Sequence, residues 1–104
     1  MSDAALATLL VADDDPAVRQ SLERALTREG YAVVLAPDGQ SALERLQSGG
    51  VDLILSDLKM PGLTGLELLR EAKAVTPGVD VILLTAFGTV EEAVGFVARQ
   101  GVLV

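Results

Sequence analysis

Cysteine and histidine, two residue types that often carry catalysis and metal binding, are both absent from this sequence. Their absence excludes disulfides, thiolate metal sites and any zinc or acid–base chemistry that needs an imidazole. Aromatic residues make up only 3% of the 104 residues, whereas 50% are apolar, so the core has to be built mainly from Val, Leu, Ile and Ala. Such side chains suit strands that helices cover on both faces.

Basic residues are also few, since 8 Lys and Arg stand against 15 Asp and Glu, which gives a formal net charge of −7. Binding of nucleic acid needs clustered Lys and Arg, so we expect no nucleic acid partner for this surface. No apolar run is long enough to span a bilayer, and no basic segment precedes the first short apolar run. The length fits one domain. We therefore expect a single cytoplasmic domain that has no contact with a membrane.

Four apolar segments typical of buried strands alternate with four helical patterns. The predicted strands span residues 6–12, 31–36, 51–56 and 79–84. The predicted helices begin near residues 16, 42, 66 and 90. Asp15 followed by Pro16 predicts the N-terminus of the first helix, and Gly30 predicts its end. The Pro-Asp-Gly sequence at 37–39 predicts a turn.

The helical spacing also predicts which face of the later helices is buried. In the third helix, the predicted buried edge consists of Leu66, Leu69 and Ala72 or Lys73. In the fourth helix, it consists of Val90, Ala93, Val94 and Val97.

Four successive strand–helix units predict an α/β fold: a doubly wound parallel sheet with right-handed crossovers and helices on both faces. In such sheets, ligands bind beyond the carboxyl ends of the strands. The first strand ends in Asp13 and Asp14, the third in Asp57 and the fourth in Thr85. We therefore expect these polar side chains to meet at one edge of the sheet.

Three carboxylates close together repel one another and lose hydration, so either some are protonated or a hard cation lies among them. Carboxylates without His or Cys favour Mg²⁺. With the Thr85 hydroxyl, such a site suits phosphoryl transfer, and Asp57 is the candidate nucleophile that forms an acyl phosphate. Taken singly, Asp13, Asp14, Asp57 and Thr85 each have an alternative role in a turn or a helix cap. Their combination at three strand ends favours the functional interpretation.

Three segments resemble the receiver domain of two-component response regulators: "LLVADDDPAVRQSLERAL", "LILSDLKMPGLTGLELL" and "VILLTAFGTVEEAV". The resemblance covers essentially the whole chain, 1–104. The last two segments look most like receivers of the nitrogen-regulator class of transcription activators. The resemblance implies a flavodoxin-like fold, with the strand order 2-1-3-4-5 that the family shares.

The same resemblance implies a role for each residue of the site. Asp57 is the phosphoacceptor, which receives its phosphoryl group from a sensor histidine kinase. Asp14 binds Mg²⁺ directly, Asp13 binds it partly through water, and the backbone carbonyl of Lys59 completes the protein's ligands. Thr85 supplies the hydroxyl that moves toward the phosphoryl group.

The chain departs from the family pattern after "RQGVLV", where the family enters its fifth strand. We expect a receiver truncated at its C-terminus, in which the family's lysine and the aromatic residue of the fifth strand are missing. Two other functions stay open at this point. One is an interaction module that no longer signals by phosphorylation. The other is a phosphohydrolase, which Lys59 disfavours because aspartyl phosphatases have an Asp two residues after the nucleophile.

Loss of the fifth strand and helix also predicts self-association. Residues 79–84 would form an open apolar edge, and the apolar face of the first helix would lose its cover. Exposed strand edges and large apolar patches favour pairing with another chain, so we expect a homodimer formed through this region.

Overall fold

The computed structural model describes residues 7–84 and 89–100. Within these ranges, strands and helices alternate strictly along the chain. They are β1 (Thr8–Ala12), α1 (Pro16–Arg28), β2 (Ala32–Ala36), α2 (Gly39–Gln47), β3 (Leu53–Ser56), α3 (Gly65–Val75), β4 (Asp80–Leu83) and α4 (Val90–Gln100). All eight predicted elements are present, and they follow the predicted order.

Local sequence signals determine where α1 begins and ends. The side chain of Asp15 caps the helix by accepting a 2.9 Å hydrogen bond from the N–H of Ala17, and Pro16 occupies the first turn. Gly30 follows the C-cap with φ of 103°, a left-handed conformation that favours glycine. These are the boundaries that the sequence predicts.

Two helices begin earlier than predicted: α2 begins at Gly39 and α3 at Gly65, whereas the predicted starts lie near residues 42 and 66. Asp38, predicted to lie in a turn, is the N-cap of α2, because its carboxylate accepts a 2.7 Å hydrogen bond from the N–H of Ser41. In α3, Thr64 and Glu67 form a reciprocal capping box, in which each side chain accepts from the other residue's backbone N–H.

The four strands form one parallel sheet in the order β2-β1-β3-β4. This order confirms the doubly wound fold. The central strands β1 and β3 are buried along nearly their whole length. Because Ala12 lies opposite Ser56 in the register, the residues that follow these two strands emerge side by side.

Alternate strand residues direct two apolar clusters to opposite faces of the sheet. On one face, Leu10 and Ile54 pack with α2 and α3 through Leu46, Leu68 and Ala72. On the other face, the buried residues come from the sheet, α1 and α4, and they include Leu9, Leu55, Leu22, Leu26 and Val97.

Two expectations about the helix faces are wrong. The face of α1 does not lose its cover, because Leu22 and Leu26 are 1% and 0% exposed against α4. In α3, Leu66 is 49% exposed and Leu69 is only half-buried, whereas Ala72 is buried as predicted, and the buried face is completed by Gly65 and Leu68. The helical spacing of apolar residues in the sequence therefore identifies the buried face of a helix only to within one residue.

Candidate functional site

Three carboxylates meet at the carboxyl edge of the sheet, where β1 and β3 end. Asp13, Asp14 and Asp57 each offer one oxygen, and these three oxygens all lie within 4.8 Å of one another. Asp13 is buried, Asp57 is half-buried and Asp14 is exposed. The cluster is therefore accessible to solvent through Asp14 and, in part, Asp57.

Backbone hydrogen bonds of the sheet hold two of these residues in place. The N–H of Asp57 donates to the carbonyl of Ala12 at 2.9 Å, and the N–H of Asp13 donates to the carbonyl of Ala36 at 3.2 Å. Both residues thus continue the hydrogen bonding of their strands by one step. The backbone positions of Asp13 and Asp57 are therefore set by the sheet.

The carboxylate of Asp13 is electrostatically the most constrained of the three. Burial raises the pKa of Asp13 above its ordinary value, and the negative charges of Asp57 and Asp14 act in the same direction. The N–H of Asp15 opposes this effect, because it donates a 2.9 Å hydrogen bond to the Asp13 side chain. A bound cation would offset the repulsion within the cluster.

Two further predicted site residues, Lys59 and Thr85, follow β3 and β4 in the sequence. Lys59 follows Asp57 by two positions in the connection between β3 and α3, and its side chain is exposed. Thr85 lies outside the described residues, between Leu84 and Thr89, so its predicted role remains a prediction.

Arg19, which the sequence interpretation did not assign, also contacts the site. One guanidinium nitrogen donates a 2.6 Å hydrogen bond to the backbone carbonyl of Asp13. The bond ties the first turn of α1 to the loop that presents Asp13 and Asp14. A basic residue one turn into the helix after an acidic triplet is the sequence signal that could have identified it.

Gly65 is the second residue that the sequence interpretation did not assign. A Cβ built at this position would overlap the carbonyl oxygen of Asp57 and lie 2.9 Å from the Cα of Leu58. Its N–H donates to the carbonyl of Leu58 at 2.9 Å, so α3 begins directly against the backbone of the site. A glycine at the start of a helical pattern, where it lowers helix propensity, indicates such a close approach.

Chemically, the cluster combines an accessible carboxylate with a set of hard oxygen ligands. Asp57 can act as a nucleophile because its side chain is only half-buried and is therefore accessible to a phosphodonor. Asp13 and Asp14 supply ligands of the type that Mg²⁺ prefers. Such a set suits reactions in which charge neutralisation and positioning dominate, as in phosphoryl transfer.

Comparison with known proteins gives one family. A family model described as "Response regulator receiver domain" matches residues 9–102. The transcriptional regulatory protein GlrR of Escherichia coli K12 is 45% identical over 96 residues, which are 92% of this chain and 21% of that protein. The response regulator MprA of Mycolicibacterium vanbaalenii is 43% identical over 86 residues, 83% of this chain and 37% of that protein. This chain thus spans well under half of either relative.

Solved structures agree with this result. The response regulator TrrA of Thermotoga maritima, in complex with Mg²⁺–BeF, is 39% identical, with a TM-score of 0.74 over 79% of this chain and 71% of that one. The chemotaxis protein CheY4 of Vibrio cholerae is 27% identical, with a TM-score of 0.68 over 91% of this chain and 98% of that one. In the described residues, no helix is long and apolar enough to cross a membrane.

Proposed function

This chain belongs to the response regulator receiver domain family, and on that premise we propose that Asp57 is its phosphoacceptor and that acceptance depends on Mg²⁺. The observation that supports this proposal most strongly is the meeting of Asp13, Asp14 and Asp57, whose oxygens lie within 4.8 Å of one another. The chain is then the signalling domain of a two-component response regulator.

The residues of the cluster fit Mg²⁺. Its donors are oxygens only, and the exposed Asp14 and half-buried Asp57 keep the cluster accessible to the water molecules that this ion retains. Asp13, Asp14, Asp57 and the backbone carbonyl of Lys59 are the proposed protein ligands. When bound, the ion neutralises negative charge on the carboxylates and on the phosphoryl oxygens.

The proposed reaction is an in-line displacement at phosphorus. A carboxylate oxygen of Asp57 forms a new bond to phosphorus, and the bond between phosphorus and the donor's leaving atom breaks, with its electron pair departing on the donor. The product is an acyl phosphate on Asp57. The hydroxyl of Thr85 is proposed to donate a hydrogen bond to one phosphoryl oxygen.

The proposed phosphodonor is a sensor histidine kinase. In one solved structure, the histidine kinase ThkA is in complex with the response regulator TrrA, and the match to this chain is 38% identical, with a TM-score of 0.73 over 80% of this chain and 72% of that one. We also propose a cytoplasmic location, as befits a partner of such a kinase. Because the phosphoryl group stays on Asp57 of the domain itself, we propose that the domain is a phosphoryl acceptor in signalling and that it is not an enzyme that turns over a substrate.

We further propose a homodimer formed through the edge of the sheet. Within the described residues, β4 pairs only with β3, so its outer edge presents unpaired backbone groups over Asp80–Leu83. Sedimentation equilibrium at micromolar concentration tests this proposal. A dimer is expected, and a monomer with a cooperative thermal transition would exclude it.

Metal-dependent chemical shifts test the proposed site. Titration with Mg²⁺ should shift the amide resonances around Asp57 in the unaltered protein, and Asp14→Ala should abolish these shifts. Asp80→Ala is the matched control, because this exposed carboxylate lies at the opposite end of the sheet. Persistence of the shifts in Asp14→Ala would place the metal elsewhere. If the metal binds but beryllofluoride and small phosphodonors do not, the interaction-module function is favoured.

A further inference from the structure

Two polar or charged side chains are buried in the part of the chain that the structure describes, those of Asp13 and Ser56. Asp13 belongs to the carboxylate cluster, whereas Ser56 has no role in the function proposed above. Ser56 ends β3 and is 0% exposed, and the preceding residues of that strand, 53–55, are all aliphatic. A hydroxyl at such a position costs free energy unless it makes a hydrogen bond. The bond that Ser56 makes therefore indicates what this residue does.

The hydroxyl of Ser56 donates a 2.8 Å hydrogen bond to the backbone carbonyl of Asp57, the residue that follows it. The N–H of Asp57 is held separately, because it donates to the carbonyl of Ala12. Since each peptide group is planar, the first bond orients the plane after the Asp57 Cα and the second orients the plane before it. Together they set both backbone dihedrals of Asp57, and hence the direction in which its side chain leaves the backbone.

The start of α3 lies against the same stretch of backbone. The N–H of Gly65 donates to the carbonyl of Leu58 at 2.9 Å, and a Cβ on Gly65 would overlap the carbonyl oxygen of Asp57. The Asp57 carbonyl thus lies between the hydroxyl of Ser56 and the backbone of Gly65. The carbonyl of Lys59, the proposed backbone ligand of Mg²⁺, follows two residues later, so its position depends on how the Asp57 carbonyl is oriented.

We propose that Ser56 is a positioning residue of the phosphoacceptor site. Its hydroxyl orients the peptide group between Asp57 and Leu58, so that the Asp57 carboxylate and the Lys59 carbonyl are directed to the same metal ion. Burial also excludes Ser56 itself as a competing nucleophile, because a phosphodonor cannot reach a side chain that is fully buried. This role rests on the function proposed for Asp57, although the hydrogen bond can be tested in the metal-free protein.

Three substitutions separate the hydroxyl of Ser56 from the space that it fills. Ser56→Ala removes the donor, and Ser56→Cys keeps a side chain of similar shape that is only a weak donor. Ser56→Thr keeps the hydroxyl and adds a methyl group of a kind that suits a strand. Ser48→Ala is the matched control, because it removes the same hydroxyl from an exposed position at the end of α2. Circular dichroism and urea denaturation show that each variant is folded and measure its stability.

Two readouts test the role of the hydroxyl. The first is the ¹³C chemical shift of the Asp57 carbonyl in the metal-free protein, which reports hydrogen bonding to that oxygen. Ser56→Ala and Ser56→Cys should move this resonance, and Ser56→Thr should keep it near its original position. The second is the affinity for Mg²⁺ by isothermal titration, which Ser56→Ala and Ser56→Cys should weaken about fivefold, the effect of one lost hydrogen bond. Ser56→Thr and Ser48→Ala should bind Mg²⁺ as the unaltered protein does.

A purely structural role would lower the stability of Ser56→Ala and leave both readouts unchanged, and that result would overturn the proposal. Mg²⁺ binding in folded Ser56→Thr that is as weak as in Ser56→Ala would also overturn it, since the hydroxyl would then be irrelevant. Failure of the proposed function would differ from both results. The unaltered protein would then gain no phosphoryl group from a small phosphodonor, while the Ser56 variants would still show the expected order of Mg²⁺ affinity.

Discussion

The backbone N–H of Asp57 donates a 2.9 Å hydrogen bond to the carbonyl of Ala12, the last residue of β1. This bond extends the pairing of β1 and β3 by one residue beyond the register that ends at Ser56. As a result, the sheet sets the backbone positions of Asp13 and Asp57, and their carboxylates meet at its edge. The reactivity proposed for Asp57 depends on this continuation of the sheet.

Gly65→Ala should destabilise the domain by about 1–3 kcal/mol, the usual cost of inserting a methyl group where there is no space. The added Cβ would overlap the carbonyl oxygen of Asp57, so either α3 or the backbone of the site has to move. Urea denaturation measures the loss. Gly78→Ala is the control, because a Cβ at Gly78 meets nothing within 4 Å. Equal free energies of unfolding for the two variants would show that a Cβ at position 65 does not destabilise the fold.

Arg19→Gln should weaken Mg²⁺ binding and lower stability by about 1 kcal/mol, because the loop of Asp13 and Asp14 loses a hydrogen bond. Arg24→Gln is the control, since it removes the same charge from an exposed position of α1. Isothermal titration with Mg²⁺ separates two effects. Loss of a positive charge alone would strengthen cation binding, so tighter binding in Arg19→Gln would contradict a positioning role.

Asp13→Asn should stabilise the metal-free domain and abolish its response to Mg²⁺. The substitution removes a buried charge that Asp57 and Asp14 repel, while the amide oxygen can still accept from the N–H of Asp15. Thermal unfolding with and without Mg²⁺ measures both effects. The ion should raise the melting temperature of the unaltered protein only. A destabilised metal-free variant would mean that the Asp13 carboxylate has a structural role.

Glu67→Gln tests the pH dependence of the capping box in α3. The hydrogen bonds from the backbone and side chain of Thr64 lower the pKa of Glu67 below its ordinary value. A carboxyl group with a lowered folded-state pKa stabilises the fold above its unfolded-state pKa, and this stabilisation disappears as the pH falls through the folded-state value.

The expected result is that Glu67→Gln is less stable than the unaltered protein near neutral pH and equally stable in acid, below the folded-state pKa of Glu67. Denaturant titrations at both pH values measure the difference. Glu71→Gln, an exposed change on the same helix, should show no such dependence. A constant difference at all pH values would indicate that the charge of Glu67 is irrelevant.

Much of this fold could be predicted from the sequence because its signals are local. The N-cap at Asp15, the left-handed Gly30 and the alternation of apolar strands with helices depend on neighbouring residues, and the structure confirms them. The expected strand order also agrees with the described sheet, although it came from resemblance to the family.

The failures concern relationships between elements that are distant in the sequence. The exposed Leu66 was predicted to be buried, because helical spacing does not say where a neighbouring helix lies. In α4, by contrast, the predicted face is confirmed, because Ala93, Val94 and Val97 are buried. Arg19 and Gly65 act on the site through backbone carbonyls, and residue type alone does not reveal such contacts.

The most direct test of the proposed function is the intact mass of the protein after incubation with a small phosphodonor. In the presence of Mg²⁺, the unaltered protein should gain the mass of one phosphoryl group, and this gain should disappear on removal of the ion. Asp57→Asn should show no gain, although its backbone can make the same hydrogen bond to Ala12. Absence of the modification at every donor concentration, or its persistence in Asp57→Asn, would contradict the assignment of Asp57 as the phosphoacceptor.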